Sequence, residues 1–372
     1  MEKQNSQLVV SVTNRATLEQ TWFNEVRTRK PQTFKTASAG IADPTDGGKR
    51  CDFCAWQMLT AEDAWGRVER PHAVTGSNLF KYGEPAHGLV LFKHHEPLAF
   101  TPEQLADFLS VSAGWFAAAS AAHPDARHPF FIWNCGPRAG ASQYHGHGQL
   151  MLTNVAVPAQ ALLTQQAALH AATHSGTSLY HDLVRAHAAV GLARVVRRGE
   201  DRCWLVAHLA PQKDMEVLLL GPGLTSPAFQ ASLHAVLRAM IDRLGVETFN
   251  CGALNVPLAD DREVHFSAAN GLAAADANSV DGVAHGNGGA DGVANGGAAF
   301  EVLAGSGDDL GLPASGAGWR PMMARVVSRG KLASPASDFG CLEVVGHASI
   351  GHTDPFVLIR AIDEQLAAAL GA

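Results

Sequence analysis

The sequence predicts an α+β protein organised as two domains, and three observations carry that expectation. Its 372 residues exceed the roughly 250–300 at which a single hydrophobic core stops growing. Strand-like apolar runs alternate with capped helical segments on both sides of about residue 155. One stretch, 268–318, collapses to Gly, Ala, Asp, Asn and Ser. With so few large apolar residues it cannot offset its ordering entropy, so it reads as a disordered insertion. The expected boundaries are 1–155 and 156–372, the second unit interrupted at 268–318.

The elements follow in order. A strand is expected over 87–92, then a helix whose start is fully marked. Thr101 caps it, Pro102 suits the first helical position, and Gln104 completes a capping box ahead of Leu105, Phe108, Leu109 and Trp115. A second apolar run, 129–134, gives the next strand. Beyond it, helices are expected over 159–171, 179–189 and 226–244, flanking strands at 203–206 and 215–220. The segments 249–255 and Glu263-Val264-His265-Phe266 read as further strands. Order resumes at Trp319, where Arg325 and Arg329 fall on one strand, and a last helix begins at Thr353-Asp354-Pro355.

Composition narrows the function classes. The 28 Lys and Arg against 35 Asp and Glu give a formal charge of -7. That charge provides no counterion-release drive towards nucleic acid or an anionic membrane, though a local phosphate pocket is compatible with it. The start Met1-Glu2-Lys3-Gln4-Asn5-Ser6 lacks a basic region followed by an apolar run, and no stretch was expected to span a bilayer. A cytoplasmic enzyme with reduced thiols is the expectation, its six cysteines serving as buried apolar residues or metal ligands.

The informative stretch runs from Asn134 to Gln149. Its Gly, Ala and Ser residues keep the backbone accessible, so N–H groups and the Ser142 hydroxyl can meet phosphate oxygens, with Arg138 adding charge. Residues 145, 147 and 149 alternate, so an extended chain lines one wall with two imidazoles and an amide. Gly146 and Gly148 leave the other wall bare. His-x-His alone is also what a solvated edge or a metal pair looks like.

In context, Ser142-Gln143-x-His145-x-His147-x-Gln149 after a Gly-rich turn resembles the active-site signature of the histidine-triad (HIT-like) superfamily. The similarity is to the branch of galactose-1-phosphate uridylyltransferases, diadenosine tetraphosphate phosphorylases and plant sugar-nucleotide phosphorylases. It implies two HIT-like halves in a degenerate tandem repeat, each an antiparallel sheet with packed helices. It further implies a nucleotidyltransferase or phosphorylase working by ping-pong kinetics on a nucleoside diphosphate sugar or dinucleoside polyphosphate. His147 would be the nucleophile that carries the nucleotidyl group to a phosphate-bearing acceptor. Asn78, in Gly76-Ser77-Asn78-Leu79-Phe80, resembles a nucleotide-binding asparagine of the uridylyltransferases. Together with Asn134, Arg138, Ser142 and Gln143 it makes up the candidate substrate-binding set. Related enzymes often build their sites across subunits, which implies a homodimer.

Gln149 bears on the reaction type. Hydrolases of the superfamily carry a third histidine there, whereas an amide donates a hydrogen bond but cannot shuttle a proton. A phosphate leaving group is stable as an anion and needs no general acid, so Gln149 favours transfer or phosphorolysis with an electrostatic role. Gly146 departs from both branches, which tend to carry lysine or proline between the histidines, so base and sugar are not fixed.

Cys51-Asp52-Phe53-Cys54 is a C-x-x-C pair, readable as a redox dithiol, a zinc half-site or an accident. No βαβ context supports the redox reading. By resemblance His95 and His145 complete a structural Zn2+ site, and a closed set of two thiolates and two imidazoles stabilises without catalysing. Two rivals stand beside the enzyme: a zinc-stabilised nucleotide-binding or scaffold protein without turnover, and a dithiol oxidoreductase.

Overall fold

A computed structural model describes residues 10–13, 20–23, 43–258, 299–305, 310–313, 318–332 and 339–370. In chain order the strands are β1 (Val10–Thr13), β2 (Gln20–Phe23), β3 (Ala73–Ser77), β4 (Pro85–Phe92), β5 (His128–Cys135), β6 (His147–Thr153), β7 (Ala193–Arg198), β8 (Asp201–Ala207), β9 (Val217–Gly221), β10 (Thr248–Leu254), β11 (Glu301–Leu303) and β12 (Met322–Gly330). The helices are α1 (Trp56–Leu59), α2 (Pro102–Ala122), α3 (Pro158–Thr173), α4 (Leu179–Ala188), α5 (Pro227–Arg238), α6 (Cys341–Val344) and α7 (Pro355–Leu370). β1 and β2 pair with each other, and the other ten strands form one antiparallel sheet in the order β11-β7-β8-β9-β12-β10-β5-β6-β4-β3.

The fold is α+β, and the order contains a repeat. The chain runs β3-β4-α2-β5-β6 in the first half and β8-β9-α5-β10-β12 in the second, and the strands lie as β3-β4-β6-β5 and β8-β9-β12-β10. The two units join where β5 meets β10. There Trp133-Asn134-Cys135 faces Phe249-Asn250-Cys251, with Asn134 directly opposite Asn250. An approximate twofold axis through that pair relates the halves.

Local chemistry explains the helices that bound the core. α2 starts as its sequence dictates: Gln104 N donates to Thr101 Oγ1 at 3.3 Å and Thr101 N to Gln104 Oε1 at 2.9 Å. By length and composition α2 is apolar enough to cross a membrane, contrary to the sequence expectation. Leu105, Phe108, Leu109 and Trp115 are instead buried in the main core with α5 and α7, under one face of the sheet. Aromatic rings knit this layer, Phe92 to Phe108 at 4.2 Å within the first unit and Trp133 to Phe249 at 5.1 Å between centroids across the seam. On the other face Tyr180 and Val184 of α4 pack on Trp204 and Leu218, covering the β7–β9 end. Phe53 and Trp56 pack on Val74, Leu89 and Leu91 at the opposite end.

Two expectations are corrected. β11 and the buried Leu310, whose carbonyl accepts from Trp204 Nε1 at 3.0 Å, lie inside the stretch 268–318, so at residues 301–303 and 310 it belongs to the folded unit. Low apolar content hid this because a three-residue edge strand needs little burial. The wall behind Gly146 and Gly148 is not bare either. A Cβ on Gly148 would lie 2.9 Å from Val90 Cγ1, and one on Gly146 2.9 Å from Phe92 Cδ2. These glycines let the core press against the strand that carries the histidines. The segment 263–266 lies outside the described residues.

Candidate functional site

The candidate chemistry gathers, largely buried, on the sheet face opposite α2. Cross-strand partners share a face, so alternation along β6 puts His147 and Gln149 there, beside Asn134 and Ile132 of β5. His147 is 5% exposed. Its Nδ1 lies 2.8 Å from the carbonyl oxygen of His145. That oxygen can only accept, so Nδ1 carries the proton and Nε2 keeps its lone pair. Phe53 packs edge-on against the ring at 5.2 Å, fixing it from the side.

Gln149 is oriented by a network that sequence reasoning found in part. Tyr82 N donates to His87 Nδ1 at 2.8 Å, so the proton sits on His87 Nε2, which faces Gln149 Oε1 at 3.2 Å. Asn78 Nδ2 donates to the same oxygen at 3.3 Å, while Phe80 N holds Asn78 Oδ1 at 2.8 Å. With its carbonyl engaged twice, Gln149 turns its NH2 outward, where Tyr82 OH accepts at 3.3 Å. Asn78 was expected in the site; His87 and Tyr82 were not. The available signal was the alternation His87-x-Leu89-x-Leu91 on the strand paired to β6.

The four expected metal ligands converge. Cys51 Sγ and Cys54 Sγ each lie 3.5 Å from His145 Nδ1, Cys54 Sγ lies 3.3 Å from His95 Nδ1, and all four donor atoms fall within 4.8 Å of one another. Tetrahedral zinc with ordinary Zn–S and Zn–N bonds sets a sulfur–nitrogen edge of about 3.6 Å, so the donor set fits that ion. The outer partners fit as well. His145 Nε2 donates to Phe92 O at 2.7 Å, and His95 Nε2 meets Asp43 Oδ2 at 3.2 Å and Thr45 Oγ1 at 3.0 Å, leaving each Nδ1 as the inward donor. Burial holds the His145 imidazole well below the usual histidine range, at about 4. It is therefore neutral, as a ligand must be. Burial and the adjacent Cys51 push the Cys54 thiol up to about 12, so a cation is what would make Cys54 a thiolate. His147 is outside the group.

The loop between β5 and β6 leaves the strand through Gly136 and Gly140, at φ 83° and 86°, around a single 3-10 turn at Pro137–Ala139. Asn250 Nδ2 donates to Asn134 Oδ1 and to Ala139 O, both at 2.8 Å, and Arg138 Nε donates to Arg329 O at 3.0 Å. The loop is thereby anchored to the second unit. Ser142 and Gln143 lie half-buried on its return to β6. Cys51, Cys54, His95 and His145 thus form one group. His147, Gln149 and Asn78 form a second beside it, and Asn134 and Arg138 adjoin the seam.

No protein-family model matches the chain, and no curated protein matches it in sequence. Solved structures do. A uridylyltransferase superposes with a TM-score of 0.58 at 13% identity, covering 98% of this chain and 100% of that one. An ADP-glucose phosphorylase from Arabidopsis thaliana, with bound ADP-glucose, gives 0.56 at 13% identity over 96% and 99%. A GalT-like protein from the same organism gives 0.56 at 14% identity over 84% and 91%. The chain therefore shares the overall fold of these structures.

Proposed function

We propose that the chain is a nucleotidyltransferase of the uridylyltransferase or sugar-nucleotide phosphorylase kind, with His147 as the group that carries the nucleotide. The observation that carries this reading is the tautomer of His147: with Nδ1–H spent on the His145 carbonyl, Nε2 is a lone-pair donor needing no separate base. That the first two solved structures named above are a uridylyltransferase and an ADP-glucose phosphorylase supports it.

In the first step the Nε2 pair forms a bond to the α-phosphorus of a bound nucleotide, and the bond to the bridging oxygen breaks with its electrons leaving on the departing phosphate. In the second, an oxygen of a phosphate-bearing acceptor attacks the same phosphorus and the P–N bond breaks, returning the pair to Nε2. No proton is required by either leaving group at neutral pH. Gln149 would donate from its NH2 to a phosphoryl oxygen as charge builds there, and Asn134, Ser142 and Gln143 would bind the same phosphate. Cys51, Cys54, His95 and His145 would hold Zn2+, which would supply structural rigidity two residues from His147.

The test is covalent labelling. Incubation with α-labelled UDP- and ADP-sugars should leave an acid-labile, base-stable adduct on the wild-type protein and none on His147→Asn. Nucleotide held by the wild type with no covalent label would instead mark a binding protein without turnover.

A further inference from the structure

The C-x-x-C segment carries a side chain between its two thiols. Cys54 N donates to Cys51 O at 3.1 Å, closing a turn whose central residues are Asp52 and Phe53. Ahead of it the chain is drawn tight around the donor atoms. Gly48 sits at φ 87°, and a Cβ there would lie 3.0 Å from Cys54 Sγ and 3.2 Å from His95 Cγ. Both ends of the turn belong to the metal group, so the direction of Phe53 is set by residues that would hold the ion.

That side chain reaches the nucleophile. Its ring centroid lies 5.2 Å from that of His147, inclined at 66°, and 5.9 Å from that of His145, inclined at 88°. One phenyl ring therefore meets, edge to face, both a metal ligand and the residue two places further on. Behind it stand Val74, Leu89 and Leu91, and Leu91 and Leu89 are the register partners of His147 and Gln149 between β4 and β6. Phe53 thus fills the β4 side of the imidazole. Such a contact limits a freedom that the hydrogen bond from Nδ1 to the His145 carbonyl leaves. The torsion between Cβ and a histidine ring is broad, so a ring tied at Nδ1 can still tilt and swing Nε2 off line.

We infer that Phe53 is a positioning residue through which occupancy of the metal group controls the aim of His147. With both cysteines bound to one ion the turn is fixed, the fixed turn sets the phenyl ring, and the phenyl ring holds the imidazole. This rests on the nucleotidyl-transfer reading of the same site, and it adds a side-chain route to the backbone one through His145. A metal-free chain keeps its nucleophile but loses the nucleophile's orientation, which makes the activity responsive to available metal.

Histidine-ring NMR of the full chain, at one pH and without nucleotide, tests it, the His147 signals being identified by their loss in His147→Asn. The ring current of a packed phenyl group displaces the signals of protons beside it. In the zinc-loaded wild type the His147 ring protons should be displaced and sharp. In Phe53→Leu, at unchanged zinc content, the displacement should be lost and the rate of nucleotide labelling should fall about 10-fold at saturating nucleotide. Chelation should move the wild-type signals further than those of Phe53→Leu, because the variant has already lost the side-chain route. If Phe53→Leu does not hold zinc, Phe53→Met carries the comparison. His147 signals that coincide in wild type and variant, or that chelation moves equally in both, overturn the assignment. The two readings fail separately. Ring signals that respond to Phe53 and to metal in a protein that never labels defeat nucleotidyl transfer alone, whereas full-rate labelling with unresponsive ring signals defeats the role of Phe53 alone.

Discussion

At the scale of single residues, the site works by fixing which nitrogen or oxygen of each side chain is available. His147 is set by one backbone carbonyl and Gln149 by His87 and Asn78. Each depends on a neighbour that does not touch the reacting atoms. His87→Ala should therefore slow formation of the labelled adduct by about 10-fold, in line with losing one oriented donor, while zinc content measured by elemental analysis stays at wild type. An unchanged labelling rate would show that Gln149 needs no support. The histidines and Gln149 were legible from the chain because alternation in a strand is a local rule. His87 and Tyr82 were missed because they reach the amide from a neighbouring strand and its approach loop, and strand pairing is not written within either segment.

At the scale of elements, the stability of α2 and the C-x-x-C segment is where local sequence speaks most directly. The capping box at Thr101 was read from three residues and is present with both bonds. Thr101→Ala should cost about 1 kcal/mol in denaturant unfolding, with no effect on zinc content. The metal group ties Cys51 and Cys54 to the turn after β4, through His95, and to the entry of β6, through His145. Cys54→Ser, or prolonged chelation of the wild type, should remove the metal and lower the midpoint of thermal unfolding. It should also reduce His147 labelling, because the strand that aims His147 loses its tether. Retained labelling at full rate in metal-free protein would separate the two sites. The completing histidines could be assigned only by resemblance, since they lie some 40 and 90 residues from the cysteines, and nothing in their own spacing selects His95 over its neighbour His94.

For the whole molecule, burial of neutral imidazoles gives stability a pH dependence of definite sign. Burial lowers the pKa of His187 and His234, both remote from the metal group. Unfolded, each titrates near ~6.5. As pH falls through that value the unfolded chain binds protons that the folded one refuses, so stability is lost on acidification and restored as pH rises. Thermal midpoints should therefore decline from pH 7 towards pH 5, and replacing His234 by glutamine should flatten the decline. The doubling of the architecture was also partly legible. The strand at 249–255 was expected, yet the identity of Asn-Cys-Gly at 134–136 and 250–252 gains meaning only once the two copies are seen paired.

That pairing has a consequence for how the chain can be taken apart. The seam is an unbroken ladder of backbone hydrogen bonds between β5 and β10, six residues on each side in register. Severing it would leave each half with a raw strand edge of N–H and C=O groups in place of a finished surface. Neither half is thus a self-sufficient product of expression: a fragment ending near residue 155 would go into solution adhesive along one side, and would be expected to self-associate until its missing neighbour was supplied in trans.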